Sequence, residues 1–150
     1  YISEFMQLYS NNIRVIDSMP IPVCEFGRAH FSKCFKGEAS YGICASKKET
    51  YFGFKFHALT TVDGFLTDYV ITPANIDDRN AVWDLCDKYR SISIIGDKGY
   101  INKRLTPELK SERDIDLLFL KRANSRDNYP KEVRQLLFKV RRRIETSFLN

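Results

Sequence analysis

A chain of 150 residues, 43% hydrophobic and 13% aromatic, can build one domain around a real core. Its net charge of +5 suits a polyanionic partner, and the basic excess is gathered between Lys121 and Arg143. No apolar run approaches the roughly 18 residues that a spanning helix needs and no signal peptide opens the chain, so no membrane partner is expected. The four cysteines, Cys24, Cys34, Cys44 and Cys86, form no CxxC pair. A zinc site over Cys24, His30 and Cys34 would lack regular ligand spacing, so reduced thiols in the cytoplasm are the better reading. The chain opens at Tyr1 rather than Met and ends inside a helical pattern, which is expected of one domain, 1–150, truncated at both ends.

Apolar residues at 2, 5, 6, 8 and 9 predict the end of a helix over 1–10. Asn12–Asp17, NIRVID, predicts a strand closing on an aspartate, followed by Ser18 and a proline-marked turn, MPIPVC. Cys24–Thr50 is rich in Gly, Ser and Lys and predicts a long loop with a short helical turn at His30–Cys34; its lysines either touch phosphates or face solvent. Tyr51–Thr61, YFGFKFHALTT, alternates: Phe52, Phe54, Phe56 and Ala58 share one face, and Tyr51, Gly53, Lys55 and His57 the other. The Asp63-Gly64 turn and the returning strand FLTDYVIT, Phe65–Thr72, complete a hairpin.

Asn75 or Asp77 can cap a helix over Asp78–Arg90, with Val82, Leu85, Cys86 and Tyr89 on its inner face. Ser91–Tyr100, SISIIGDKGY, reads as an interior strand covered on both faces that ends in Asp97. A helix followed by a strand suggests a crossover to a parallel neighbour. A helix over Tyr100–Arg113 with a break at Pro107, a strand over Asp116–Leu120 and a basic loop over Lys121–Asn128 come next. Pro130 opens a last helix with an apolar stripe through Leu137 and Ile144. The order β, β, β, α, β, α, β, α gives an α/β mixed sheet with helices outside.

Asp17 and Asp97 stand at strand ends, where open sheets carry their sites, and Glu145 lies on the last helix. Three carboxylates brought to one sheet edge repel each other, and a divalent cation relieves the repulsion. Hard oxygen ligands favour Mg²⁺ or Mn²⁺, and two such ions can activate an attacking oxygen and stabilise a leaving one in phosphodiester chemistry. Each residue also has a plainer explanation. An aspartate after a strand is ordinarily a turn former or helix cap, and Glu145 lies four residues after Arg141, at ion-pair spacing.

Five segments stand in order along the chain: VIDSMPIPVC, YFGFKFHALTTVDGF, TPANIDD, IIGDKGY and RRRIETSF. They resemble, in turn, the first-aspartate strand, the Y-x-G-x-K-x-H hairpin, the segment after it, the D-[RK]-G-Y motif and the glutamate helix of the catalytic domain of DDE transposases from bacterial insertion sequences. The spacing is similar too: 79 residues separate Asp17 from Asp97, and 47 separate Asp97 from Glu145. Arg141 and Glu145 satisfy the R-(3)-E part of the helix pattern. Phe138 stands where the family has Tyr, and the family's following Lys would fall beyond Asn150.

The resemblance implies a ribonuclease H-like mixed sheet in which Asp17, Asp97 and Glu145 hold two Mg²⁺ (or Mn²⁺) ions. It implies cleavage of double-stranded DNA at the element ends and strand transfer into a target, by an enzyme expected to work as a homodimer. Arg141 would contact a phosphate. Lys55, His57, Lys98, Lys121 and Arg122 are further candidates for DNA contact, with Tyr100, Arg126, Lys139, Arg142 and Arg143 less distinctive. Two rival readings stay open: a non-catalytic remnant that keeps a basic DNA-binding face, and a nuclease of the same fold.

Overall fold

The computed structural model describes residues 12–44, 47–100 and 103–119, with Lys98 by its backbone alone. In the C-terminal stretch it describes residues 130, 131, 134, 135, 137–139, 142 and 146. The elements are β1 (Ile13–Pro22), β2 (Ser40–Cys44), β3 (Glu49–Thr61), β4 (Leu66–Pro73), α1 (Asp78–Cys86), β5 (Ser93–Gly96), α2 (Leu105–Arg113) and β6 (Asp116–Phe119). Short 3-10 turns lie at Phe26–Arg28 and Lys98–Tyr100.

The strands form one mixed sheet in the order β2-β3-β1-β5-β6, with β4 also on β3. β3 is antiparallel to β1, β2 and β4, whereas β5 runs parallel to both β1 and β6. This is the α/β, ribonuclease H-like arrangement expected: early strands built around a hairpin, then helix–strand units that cross over to parallel neighbours. The hairpin forms where the Asp-Gly turn requires it. Gly64 takes a left-handed φ of 92°, and Thr61 and Phe65 close the turn through backbone hydrogen bonds.

Several boundaries differ from the sequence reading, among them the end of α1 at Cys86 rather than Arg90 and the short helical turn at Phe26–Arg28 rather than His30–Cys34. β1 does not stop at Asp17 but continues to Pro22, since β3 supplies an antiparallel partner along its whole length. β5 pairs with β1 only as far as Val15, so the prolines fall where β1 has lost one neighbour, a setting that tolerates a missing N–H. The expected loop over Cys24–Thr50 contains β2, whose Gly42 lets the strand lie against Ala74; a Cβ there would stand 2.6 Å from the Ala74 carbonyl oxygen. α2 begins at Leu105 rather than Tyr100, and Pro107 sits in its first turn, where no N–H is needed. The expected cap is present: Asp77 accepts a hydrogen bond from the Arg79 amide and opens α1.

Both faces of the parallel strands are covered. On one, Ile16, Leu59, Ile94 and Leu117 pack against Val82, Leu85 and Cys86 of α1, Leu105 and Leu109 of α2, and Tyr100. On the other, Val15 and Ile95 pack against Leu137, which is 1% exposed. The described residues of the 131–146 stretch are helical, so a helix lies across this second face through Leu137. No helix among the described residues is long and apolar enough to cross a membrane.

Candidate active site

β1 and β5 are parallel neighbours in which Ile13 faces Ser93, Arg14 faces Ile94 and Val15 faces Ile95. Each pair is 80 positions apart in sequence, and so are Asp17 and Asp97. Beyond this pairing Asp17 follows two residues after Val15 within β1, and Asp97 lies just past the end of β5 at Gly96. Alternation along β1 puts Asp17 on the same face as Val15. That is the face on which Leu137 is buried, so the helical stretch that carries it packs on the Asp17 side of the sheet.

The local chain supports this placement. The Ser18 amide donates to Asp17 Oδ1 at 2.8 Å. Asp97 is exposed just past β5, and the Tyr100 amide closes a tight turn onto the Asp97 carbonyl at 3.1 Å. Gly96 is required at the strand end: a Cβ there would stand 2.7 Å from Ile16 Cγ2, in the gap between β1 and β5.

Two carboxylates on adjacent strands offer hard oxygen donors with room for further ligands, a donor set that suits Mg²⁺ or Mn²⁺. The third expected ligand, Glu145, lies outside the described residues, as do Arg141, Lys121, Arg122, Arg126 and Arg143. Among the described residues no cluster of three metal-ligating side chains forms.

The inward-facing polar residues of β3 depart from expectation. His57 is wholly buried, and Lys55 is held inside the fold, so neither presents a surface to DNA. The Lys55 ammonium lies 2.5 Å from Asp78 Oδ1 and also donates to the Ile76 carbonyl, with the two side chains only 17% and 26% exposed. His57 Nδ1 lies 3.1 Å from the Tyr100 hydroxyl, and His57 Nε2 lies 3.1 Å from Thr72 Oγ1. The alternation was right, but β3 is an interior strand, and the face taken as solvent-facing is roofed by α1 and Tyr100. Burial lowers the His57 pKa, which keeps the ring neutral, and burial pushes the Tyr100 hydroxyl well up. Lys98 begins the turn after Asp97, its side chain outside the described set, while Lys139 and Arg142 are exposed. Phe138, in the place of the family's Tyr, is also exposed.

An α/β domain with a mixed sheet, with Asp17 inside β1 and Asp97 just past its parallel neighbour β5, leaves several chemistries open, and comparison narrows them. The model of the Transposase DDE domain matches residues 8–149, so the chain belongs to that family. Among solved structures, the chain is similar to a piggyBac transposase, seen by cryo-EM in a synaptic complex with hairpin DNA, at 13% identity and a TM-score of 0.48. The match covers 82% of this chain and 25% of the other, so the chain spans about a quarter of that protein's length. No curated protein matches the sequence.

Proposed function

We propose that the domain catalyses divalent-metal-dependent DNA cleavage and strand transfer at the ends of a bacterial insertion sequence. The observation that supports this reading is the parallel pairing of β1 with β5, since β1 runs on through Asp17 and β5 ends just before Asp97. Asp17 and Asp97 would hold the metal, with Glu145, which lies outside the described residues, as the third ligand. Two divalent ions, when bound, supply electrophilic activation of the attacking oxygen and stabilisation of the leaving one. Water attacks a phosphodiester at the element end and the P–O3′ bond breaks; the freed 3′-OH then attacks a phosphodiester of target DNA, forming a new P–O3′ bond as the target's own P–O3′ bond breaks and releases a target 3′-OH.

The chain's own residues orient the substrate. Arg141 pairs with a phosphate near the cut, and Lys98, Lys121 and Arg122 hold the backbone further away, where charge gives affinity without sequence. Lys55 and His57 have no part in this; both are committed inside the fold. The partner is double-stranded DNA, the working form a homodimer, and the location the cytoplasm, in keeping with four free cysteines.

The test is Mg²⁺-dependent nicking of DNA carrying the element ends. Asp97→Asn is expected to abolish nicking and leave DNA retention intact. Equal nicking by wild type and Asp97→Asn would sink the proposal. DNA retention with no cleavage by the wild type would favour the remnant instead.

A further inference from the structure

On the helix-covered side of the sheet, directly behind the two aspartates, lies a buried polar network that the proposed chemistry does not use. Its centre is Tyr100, 2% exposed, with its ring among the core residues Ile16 and Ile94. Its hydroxyl meets His57 Nδ1 at 3.1 Å and is hydrogen-bonded to the Ser18 side chain. Its amide donates to the Asp97 carbonyl at 3.1 Å. One residue is thus bound at its backbone to the turn that presents Asp97 and at its side chain to the residue after Asp17.

The anchor on the far side is equally fixed. His57 is the register partner of Ser18 across β1 and β3, and its other nitrogen reaches Thr72 on β4. A neutral imidazole has one N–H and one bare nitrogen, so one of the two hydroxyls donates to the ring and the other accepts from it. A phenol has one proton and two lone pairs, and Ser18 and His57 engage them. The absent side chain of Gly96 leaves room for this packing, since a Cβ there would lie 3.6 Å from the Tyr100 ring and closer still to Ile16.

We infer that Tyr100 is a positioning residue for the carboxylate pair, bracing the end of β5 against β1 and so setting the separation of Asp17 and Asp97. The inference rests on the metal-site reading above and assigns the spacing of that site to a hydroxyl on the opposite face of the sheet. A side chain that fixes the ligands without touching the ion acts as an outer shell does in metal sites, where removal typically weakens binding by roughly 10- to 100-fold.

Mn²⁺ titrated into the full chain, with the free ion followed by electron paramagnetic resonance, tests this at a temperature where all variants are folded. Tyr100→Phe keeps the ring and loses only the hydroxyl; it is expected to weaken Mn²⁺ binding roughly 10-fold or more and to slow nicking of supercoiled plasmid DNA in proportion. Ser18→Ala, which keeps the amide bonded to Asp17, is expected to weaken binding in the same direction. Leu109→Ala lowers the Tm from the same core but touches neither strand end, so its Mn²⁺ affinity is expected to match wild type. If Tyr100→Phe and Ser18→Ala bind Mn²⁺ like wild type while Asp97→Asn does not, the inference fails and the carboxylate site stands. If Leu109→Ala weakens binding as much as Tyr100→Phe, general destabilisation explains the effect and the inference also fails. Wild type binding no better than Asp97→Asn overturns the site reading, and the inference with it.

Discussion

His57 illustrates how one side chain's chemistry follows from its seat in the sheet. Its alternation partners Tyr51, Gly53 and Lys55 made a polar face in the sequence, yet in the fold that face looks into the layer between the sheet and α1. Burial lowers its pKa below the ordinary 6.5, so the folded chain binds fewer protons at this ring than the unfolded chain does. Stability is therefore full above about pH 6.5 and falls as the pH drops below it, because the unfolded state gains a proton that the native ring resists. Thermal unfolding followed between about pH 7.5 and pH 5 is expected to show a falling Tm in the wild type and a flatter profile in His57→Gln. Asp77 does not blur this window. The hydrogen bond from the Arg79 side chain lowers its pKa to about 2, so its contribution is lost only on acidification below the ordinary value of 3.8. Cys86, pushed up to about 12 by burial, is a packing residue rather than a reactive thiol.

At the scale of the element, the decisive contact is the parallel pairing of β5 with β1. The pairing is short, from Ile13 to Val15 and Ser93 to Ile95, and both strands then run on to an aspartate. What lets them stay close at that point is the bare backbone of Gly96. A methyl group there would meet Ile16 Cγ2 at 2.7 Å, and Ile16 is β-branched and fully buried, so it has little freedom to yield. Gly96→Ala is expected to cost about 1–3 kcal/mol through overpacking, read as a lower denaturant midpoint. It should cost more activity than stability alone explains, since the shift falls where β5 ends, one residue before Asp97. The hairpin has a second tie to the helices: Lys55 on β3 reaches Asp78 in the first turn of α1, and Gly99 lets the turn after Asp97 approach the same carboxylate, with a Cβ there 3.4 Å from Asp78 Oδ2.

For the whole molecule, the proposed metal site would couple binding to folding: an ion that binds only the folded chain stabilises it by mass action, by about 2.7 kcal/mol at a hundredfold excess over Kd. Mn²⁺ is expected to raise the Tm of the wild type in a concentration-dependent way that excess EDTA reverses. Asp17→Asn and Asp97→Asn are each expected to leave the Tm insensitive to Mn²⁺; a Tm that responds equally in both variants would count against the shared site.

Much of the architecture was legible in the order of apolar runs: the hairpin, the Asp77 cap, α1, the buried β5 and the alternation that follows. β2 was not, because a five-residue strand with a central glycine in a Gly- and Ser-rich stretch has no pattern of its own; it exists by pairing with β3. Nor was the continuation of β1 past Asp17, since prolines read as a turn until it is known that one edge of the strand is free. By itself the sequence determined the hairpin, the capped α1 and the buried β5 that leads to Asp97, because local periodicity and turn chemistry act over a few neighbours. Only the tertiary structure decided that the strands leading to Asp17 and Asp97 are parallel neighbours, and that Lys55 and His57 turn inward. Those facts depend on which strands become neighbours, and that is set by long-range packing across the sheet rather than by any stretch of chain read alone.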